Sequence, residues 1–474
     1  MSGRRLLRLA VAALGAVALT GVTPAAATHG AAGRIDFGDR LQSIDGFGFA
    51  QAFQRAAAMN GLFGLPPENQ RAVLDLLLSR ENGAGLSILR LGIGSSPQAP
   101  YDLMRSIQPV DPGGPAAPPR YEWDGYDGGQ VWLAKEAKAY GVRRFFADAW
   151  SAPGYMKTNG DDRNGGMLCG LPGTSCASGD WRQAYADYLA QYARFYAREG
   201  IRITDLGFTN EPDFTATYAS MRFDGPQIVD FVKVLGPTLA RSGLPARLVC
   251  CDGAGWTEQE VLSTAIEADP AARRLVTVHT GHPYKNPANR PLPTGRPVWM
   301  TEWQPNGNTW NEAWDDGSGW AGITVAENIH DTLTLAGASA YVYWFGASLG
   351  ATRAFIQLDG ANYHVSKRLW AMAAYSRFIR PDADRVAAAS TAPGVKVSAF
   401  RNADGSKVIE ILNTNTTATR TDFALREASR SHRAAVYLTD ETHSLSRTGT
   451  LSVRDRRLAV ELAPRSLTTV VISR

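Results

Sequence analysis

The chain has 474 residues, 44% hydrophobic and 20% charged, with 47 Gly, 26 Pro and a formal charge of +4, a balance that excludes a disordered, collagenous or coiled-coil protein. This length holds two or three domains, or an α/β barrel with an accessory domain. Arg4, Arg5 and Arg8 precede an apolar run from Leu9 to Val22 and the small residues Ala25, Ala26 and Ala27, so residues 1–27 read as a secretory signal and the mature chain starts near Thr28. Its removal leaves a formal charge of +1, which offers no basic surface for nucleic acid or membrane. Beyond it no apolar run reaches the roughly 18 residues of a spanning helix. The expectation is an exported, soluble monomer.

From about residue 44 to residue 380, eight short apolar runs alternate with amphipathic stretches, the signature of a (β/α)8 barrel. The strands are expected at Ile44–Ala50, Ile88–Gly94, Arg144–Ser151, Asp205–Pro212, Arg247–Gly253, Leu275–Pro283, Pro297–Gln304 and Ala340–Gly346. The first helix opens at Pro66-Pro67 and buries Val73, Leu74, Leu77 and Leu78. The third opens on Asp180 and Gln183, spaced as a capping box, and carries Trp181, Tyr185, Tyr188, Leu189, Tyr192, Phe195 and Tyr196 at helical spacing. Only Lys285–Arg296, between the sixth and seventh strands, lacks a helical pattern.

After Pro381 the texture changes to short alternating runs with close turns, among them Val395–Phe400, Lys407–Asn413, Ala434–Leu438 and Leu458–Leu462, which predicts a β-sandwich over residues 381–474. Residues 28–43 lead into the barrel at residue 44, and 34–43 read as an extended strand that pairs with that sheet.

Four cysteines are present. Cys169 and Cys176 flank a turn-rich loop, which suits a local bridge in an exported protein. Adjacent Cys250 and Cys251 lie in an apolar strand and read as buried thiols rather than a strained vicinal disulfide. No spacing suits a metal, and no cofactor motif is present. His279 and His282, three apart on one strand, point to opposite faces, which leaves His282 a hydrogen-bonding role.

In such a barrel the reactive groups project from the C-terminal ends of the strands. Glu211 in Gly-Phe-Thr-Asn-Glu-Pro ends the fourth strand, and Glu302 in Trp-Met-Thr-Glu-Trp ends the seventh. A carboxylate in a barrel mouth must be paired, hydrogen-bonded or used. Arg90 is placed either to pair with one of them or to bind substrate. Two carboxylates on either side of a glycosidic bond supply the proton for the leaving oxygen and the nucleophile or base at the anomeric carbon. Trp150, Trp303, Trp310, Trp314, Trp320 and Trp344 lie at or after strand ends, where aromatic faces stack on sugars, whereas Trp181 and Trp370 read as packing residues. Asp161 and Asp162 read as a solvated loop.

The segments Ile44-Asp-Gly-Phe-Gly48, Leu89-Arg-Leu-Gly-Ile-Gly-Ser-Ser96, Trp150-Ser-Ala-Pro-Gly-Tyr-Met-Lys-Thr-Asn159, Asn210-Glu-Pro212 and Thr301-Glu-Trp303 together resemble glycoside hydrolase family 30, a retaining family with a (β/α)8 barrel and a side β-sandwich built from both chain ends. The resemblance implies Glu211 as general acid/base, Glu302 as nucleophile, Asn210 as a donor to the sugar 2-hydroxyl, Tyr284 as the group that orients Glu302, and Trp150 and Trp344 as stacking platforms. Gln51-Ala-Phe-Gln-Arg55, Asp148-Ala-Trp150, Asn159-Gly-Asp-Asp162, Cys169–Cys176 and Cys250-Cys-Asp252 look most like subfamily 7, which implies a xylanase or glucuronoxylanase acting on a polysaccharide. β-1,6-Glucan or β-1,6-galactan is the alternative substrate, and a carbohydrate-binding protein without chemistry is the alternative class. The loop Gly350–Phe355 lacks the Arg with Tyr that clamps glucuronate in bacterial relatives. Arg55 is then the candidate clamp, with Arg353 and Arg105 as competitors and an ion pair with an acid such as Asp45 as its structural role.

Overall fold

The computed structural model describes residues 32–307, 309–350, 352–428 and 431–474, so the signal reading of residues 1–27 lies outside the described residues. Eight parallel strands close into a barrel: Gly46–Ala50, Ile88–Ile93, Arg144–Ala149, Asp205–Leu206, Arg247–Gly253, Val276–Gly281, Val298–Met300 and Ala340–Phe345. Each falls within its expected window. Alternation along the strands sorts the side chains. Ile88, Phe146, Val249, Val278, Trp299, Ala340 and Val342 form a cluster inside the barrel, while Leu89, Leu91, Phe145 and Ala147 pack outward against the helical layer. The same period carries Arg90 and Asp148, two residues beyond Ile88 and Phe146, to the inner face.

Helices Pro67–Leu78, Gln130–Ala139, Arg182–Arg198, Gly225–Ser242, Trp256–Ala268, Gly322–Thr334 and Lys367–Phe378 cover the outside. Among the described residues no helix forms between the sixth and seventh strands, as the Pro- and Asn-containing sequence there foretells. The expected apolar faces are buried at Val73, Leu74, Leu77 and Leu78 and from Trp181 through Tyr196. The capping box is a correction. Trp181 is the N-cap, Asp180 accepts from the Arg182 N–H at 3.0 Å and pairs with its guanidinium at 2.6 Å, and Gln183 donates to Asp187 and Thr238. The reciprocal box forms one helix later, between Asp224 and Gln227.

Among the described residues nine strands make the second sheet, and Gly33–Ile44 lies between Ala383–Ser390, antiparallel, and Thr419–Arg426, parallel. Ile35, Phe37, Val386, Ile409, Phe423 and Val470 share its core. Its other face is continuous with the barrel: Phe400, Val408, Leu412 and Leu467 belong to the same apolar cluster as helix residues Leu369, Met372 and Tyr375. Trp314 is 1% exposed, and its indole N–H donates to the Arg465 carbonyl at 2.5 Å. It is a joint between the domains and not a sugar platform.

Cys169 and Cys176 are bridged as expected, with Cα atoms 5.7 Å apart. Cys250 and Cys251 are also bridged, across a cis peptide, which corrects the reading of two free thiols. Asp161 is solvated, but Asp162 is buried and accepts hydrogen bonds from Ser95 and Ser96 at 2.9 and 2.5 Å. It fastens the loop after the third strand to the loop after the second. No helix among the described residues is long and apolar enough to cross a membrane.

Candidate active site

The C-terminal strand ends open into a cleft of about 480 Å³ whose wall includes Phe53, Trp150, Glu211, Tyr218, Tyr284, Glu302, Trp344 and Arg353. Glu211 follows the fourth strand and Glu302 the seventh, and carboxylate oxygens of the two lie within 4.8 Å of each other and of a His282 ring nitrogen. Glu211 and Asp252 both adopt left-handed backbone, with φ of 49° and 55°. Such a conformation costs a non-glycine residue about 1–3 kcal/mol. The Glu211 N–H donates to the Asp252 carbonyl at 2.8 Å, so the two turns hold each other and aim the Glu211 side chain across the cleft.

Beneath the carboxylates lies a charge cluster closed to solvent. The Arg90 guanidinium, 0% exposed, donates to Glu302 at 2.5 Å, Asp148 at 2.8 Å, Asp252 at 2.7 Å and the Asn210 amide oxygen at 2.6 Å. Burial pulls its pKa down, but the carboxylates of Asp252, Glu302 and Asp148 outweigh burial and raise it. Burial and the neighbouring Asp252 charge push the Asp148 carboxyl well up. Asp252 goes the other way: Arg90 and His282 overcome its burial and hold it low. His282 is buried too, yet Glu302, Asp252 and Glu211 raise it to about 10. The buried cations Arg90 and His282 thus lie among the acids Asp148, Asp252 and Glu302, so opposite charges offset one another beneath the barrel mouth. A cation bound among Glu211, His282 and Glu302 would meet the two positive charges already there.

Glu302 accepts from Arg90 through one oxygen and from the Tyr284 hydroxyl, at 3.1 Å, through the other. Its carboxyl is raised by burial and by Glu211 and lowered by His282 and Arg90, with the net direction upward. Glu211 meets His282 Nδ1 at 3.2 Å. Asn210 gives its oxygen to Arg90; its amide nitrogen has no protein partner among the described residues and is free for a ligand oxygen.

Sequence reasoning placed Glu211, Glu302, Asn210, Tyr284, Trp150 and Trp344 in one site, and the fold brings them together. Trp150 is 2% exposed, with its ring 4.5 Å from the Arg90 guanidinium and 5.6 Å from Trp344, so it forms the floor, while half-buried Trp344 carries the open aromatic surface. Arg90 and His282 are both sealed from the cleft, so of its two possible roles Arg90 takes the pairing one, His282 takes the hydrogen-bonding one, and both act as positioning groups rather than as substrate contacts. Trp303 is half-buried against the barrel core and is not among the cleft-lining residues. Arg55 does line the cleft, but it is ion-paired with Asp102 and packed over Tyr101 and Phe345 at 4.6 and 4.7 Å. Asp45 is instead paired with Arg144 at 2.9 Å. Arg353 lines the same cleft with its guanidinium toward Gln304, at 3.1 Å, whereas Arg105 pairs with Glu122 outside it.

Asp148, Asp252, Phe53 and Tyr218 went unassigned. An acid inside the apolar run Phe-Phe-Ala-Asp-Ala-Trp is a readable signal for Asp148. Phe53 and Tyr218 come from loops, where no period marks the inward side.

Residues 31–269 match the family described as O-Glycosyl hydrolase family 30, and residues 382–470 match the Glycosyl hydrolase family 30 beta sandwich domain. The chain is 26% identical over 359 residues to a glucuronoxylanase of Bacillus subtilis, covering 73% of this chain and 77% of that one. It is 24% identical over 401 residues to an endo-1,6-beta-D-glucanase of Trichoderma harzianum, covering 79% and 78%. The catalytic domain of a family 30 xylanase C from Talaromyces cellulolyticus superposes with a TM-score of 0.86 at 36% identity, covering 93% of this chain and all of that one. With both domains matched and two carboxylates facing one another at the fourth and seventh strand ends, the chain belongs to glycoside hydrolase family 30.

Proposed function

We propose that this hydrolase is a secreted, retaining endo-β-1,4-xylanase acting on glucuronoxylan by double displacement. The observation that supports the mechanism is that a carboxylate oxygen of Glu211 and one of Glu302 lie within 4.8 Å of each other across the cleft. Carboxyl groups ~5–5.5 Å apart suit a covalent glycosyl-enzyme, whereas inversion needs ~6.5–9.5 Å to seat a water. Glu302, held by the Arg90 cation and the Tyr284 hydroxyl, attacks the anomeric carbon as the leaving oxygen takes a proton from Glu211. The bond from carbon to the leaving oxygen breaks and an ester to Glu302 forms. Glu211, now a carboxylate, takes a proton from water; the water oxygen attacks the same carbon and Glu302 leaves. Asn210 offers its amide N–H₂ to the sugar 2-hydroxyl, where a hydrogen bond that tightens in the transition state lowers the barrier.

The xylan reading draws on the 36% identical xylanase structure and the glucuronoxylanase relative. It also draws on two guanidiniums in the cleft wall, Arg55 and Arg353, which suit an acidic branch. The test is product analysis on glucuronoxylan, arabinoxylan, β-1,6-glucan and β-1,6-galactan. Cleavage of glucuronoxylan in preference to the others, with β-configured first products by proton NMR, is the expected result. Preference for a β-1,6-glucan moves the enzyme to the other branch of its relatives, and α-configured products remove the nucleophile from Glu302.

A further inference from the structure

Outside the cleft, the loop Gly61–Gly64 carries Leu62 and Phe63, which are 55% and 42% exposed. Large apolar side chains on a loop tip are normally mobile or tucked in. This loop is fixed: Gly61 and Gly64 take left-handed turns, the Leu62 N–H donates to the Ala57 carbonyl and the Gly64 N–H to the Gly61 carbonyl, both at 3.0 Å. Phe63 is braced against Tyr101 with ring centroids 5.2 Å apart and planes at 87°. Tyr101 lies in turn over the Arg55 guanidinium, which lines the catalytic cleft beside Asp102. The exposed ring is thus joined to the cleft wall by one line of packed side chains, Phe63 to Tyr101 to Arg55, contributed by the loops after the first and second barrel strands.

From this exposed ring, braced by Tyr101 and linked through it to Arg55 in the cleft wall, we infer a distal subsite: Phe63, supported by Tyr101, is a stacking platform for a sugar residue of a polymeric β-glycan that runs out of the cleft. The inference rests on the polysaccharide reading above and adds where the chain leaves the enzyme. The C–H face of a pyranose laid on an aromatic ring buries apolar surface from both partners, and the ring needs no reordering to receive it.

The experiment measures kcat and KM of wild type, Phe63→Ala and Phe63→Trp on oligosaccharides of increasing length in two series, β-1,4-xylosyl and β-1,6-glucosyl, with an aryl glycoside as the short reference. For the series that wild type cleaves, KM is expected to fall with length until the platform is reached. Phe63→Ala should then raise KM on the long members about 3- to 10-fold, as expected for loss of one aromatic contact, with kcat held and the aryl glycoside far less affected. Phe63→Trp should keep or strengthen the length dependence. Equal effects of Phe63→Ala on short and long substrates, or none on either, overturn the platform and leave the substrate reading standing. Cleavage of the β-1,6 series alone overturns the xylan reading while still testing the platform, and cleavage of neither overturns both.

Discussion

Glu211 and Glu302 differ in what holds them, and their loss should differ in kind. Glu302→Gly and Glu211→Ala are each expected to lower turnover by several orders of magnitude without unfolding the protein. With an activated aryl glycoside, which needs no leaving-group proton, azide should rescue Glu211→Ala as the β-azide and Glu302→Gly as the α-azide; the opposite pattern would exchange the roles. Arg90 holds three acids at once, so Arg90→Met leaves buried carboxylates without their counter-charge, a loss of about 3–5 kcal/mol, to be read by urea unfolding. His282 gives this cluster a pH signature. Its folded pKa of about 10 lies above its ordinary 6.5, so the stability it contributes is full below pH 6.5 and fades as pH rises through 10. His282→Gln should flatten that fall, and a slope unchanged between pH 7 and 10 would show that His282 is neutral in the native state. Arg55→Ala tests the acidic-branch reading. A charge-assisted contact of about 1.5–3 kcal/mol corresponds to a loss of roughly 10- to 150-fold in kcat/KM on glucuronoxylan, with little change on unbranched xylo-oligosaccharides. The same result from Arg353→Ala instead would move the clamp across the cleft.

At the scale of elements, much of the barrel is legible because its strands are short apolar runs between amphipathic helices, and the period of two that hides Ile88 and Phe146 also delivers Arg90 and Asp148. Fine contacts are less legible. Asp180 has the spacing of a cap, but the helix takes Trp181 as its N-cap, so Asp180 accepts from the Arg182 N–H and guanidinium one position too early and Gln183 falls short of the third helical position that the box requires. Asp224 is itself the N-cap of its helix and Gln227 stands at the third helical position, so there the box closes. Asp224→Ala should cost about 0.5–2 kcal/mol, whereas Asp180→Ala should cost less, and thermal unfolding of the pair of variants decides it. Cys250 and Cys251 were unreadable for a related reason, since pairing of neighbours depends on the backbone turn between them and not on composition. In the sandwich, burial pushes the Glu410 carboxyl well up, with Thr469 as its partner at 2.7 Å. A folded pKa above the unfolded value means that stability falls as pH rises above about 4.5. Glu410→Gln should therefore stabilise the protein at pH 7, visible as a higher Tm that converges with wild type at pH 4.

The whole molecule behaves as two sheets sharing one apolar seam. Beyond the buried cluster, Phe378 and Tyr437 rings pack 4.7 Å apart, Lys396 pairs with Asp331 at 2.9 Å and Arg465 with Asp315 at 2.5 Å. A fragment ending at Pro381 would expose Leu369, Met372 and Tyr375 and strip the 33–44 strand of both neighbours, so residues 28–381 are expected to be insoluble on expression. A soluble, active fragment would make the sandwich an independent appendage.

The strand at Gly33–Ile44 has a temporal consequence. Gly33 is in register with Ser390 on one side and Phe423 on the other, so a segment made among the first must wait for about 350 residues of later synthesis before either ladder can close. At translation rates of about 5–20 residues per second, that interval is on the order of 20–70 seconds. Throughout it the nascent chain holds an unsatisfied β-edge and cannot complete its accessory sheet. A chain threaded through an exporter while unfinished would gain from the delay, since the last step of its assembly needs both ends on the same side.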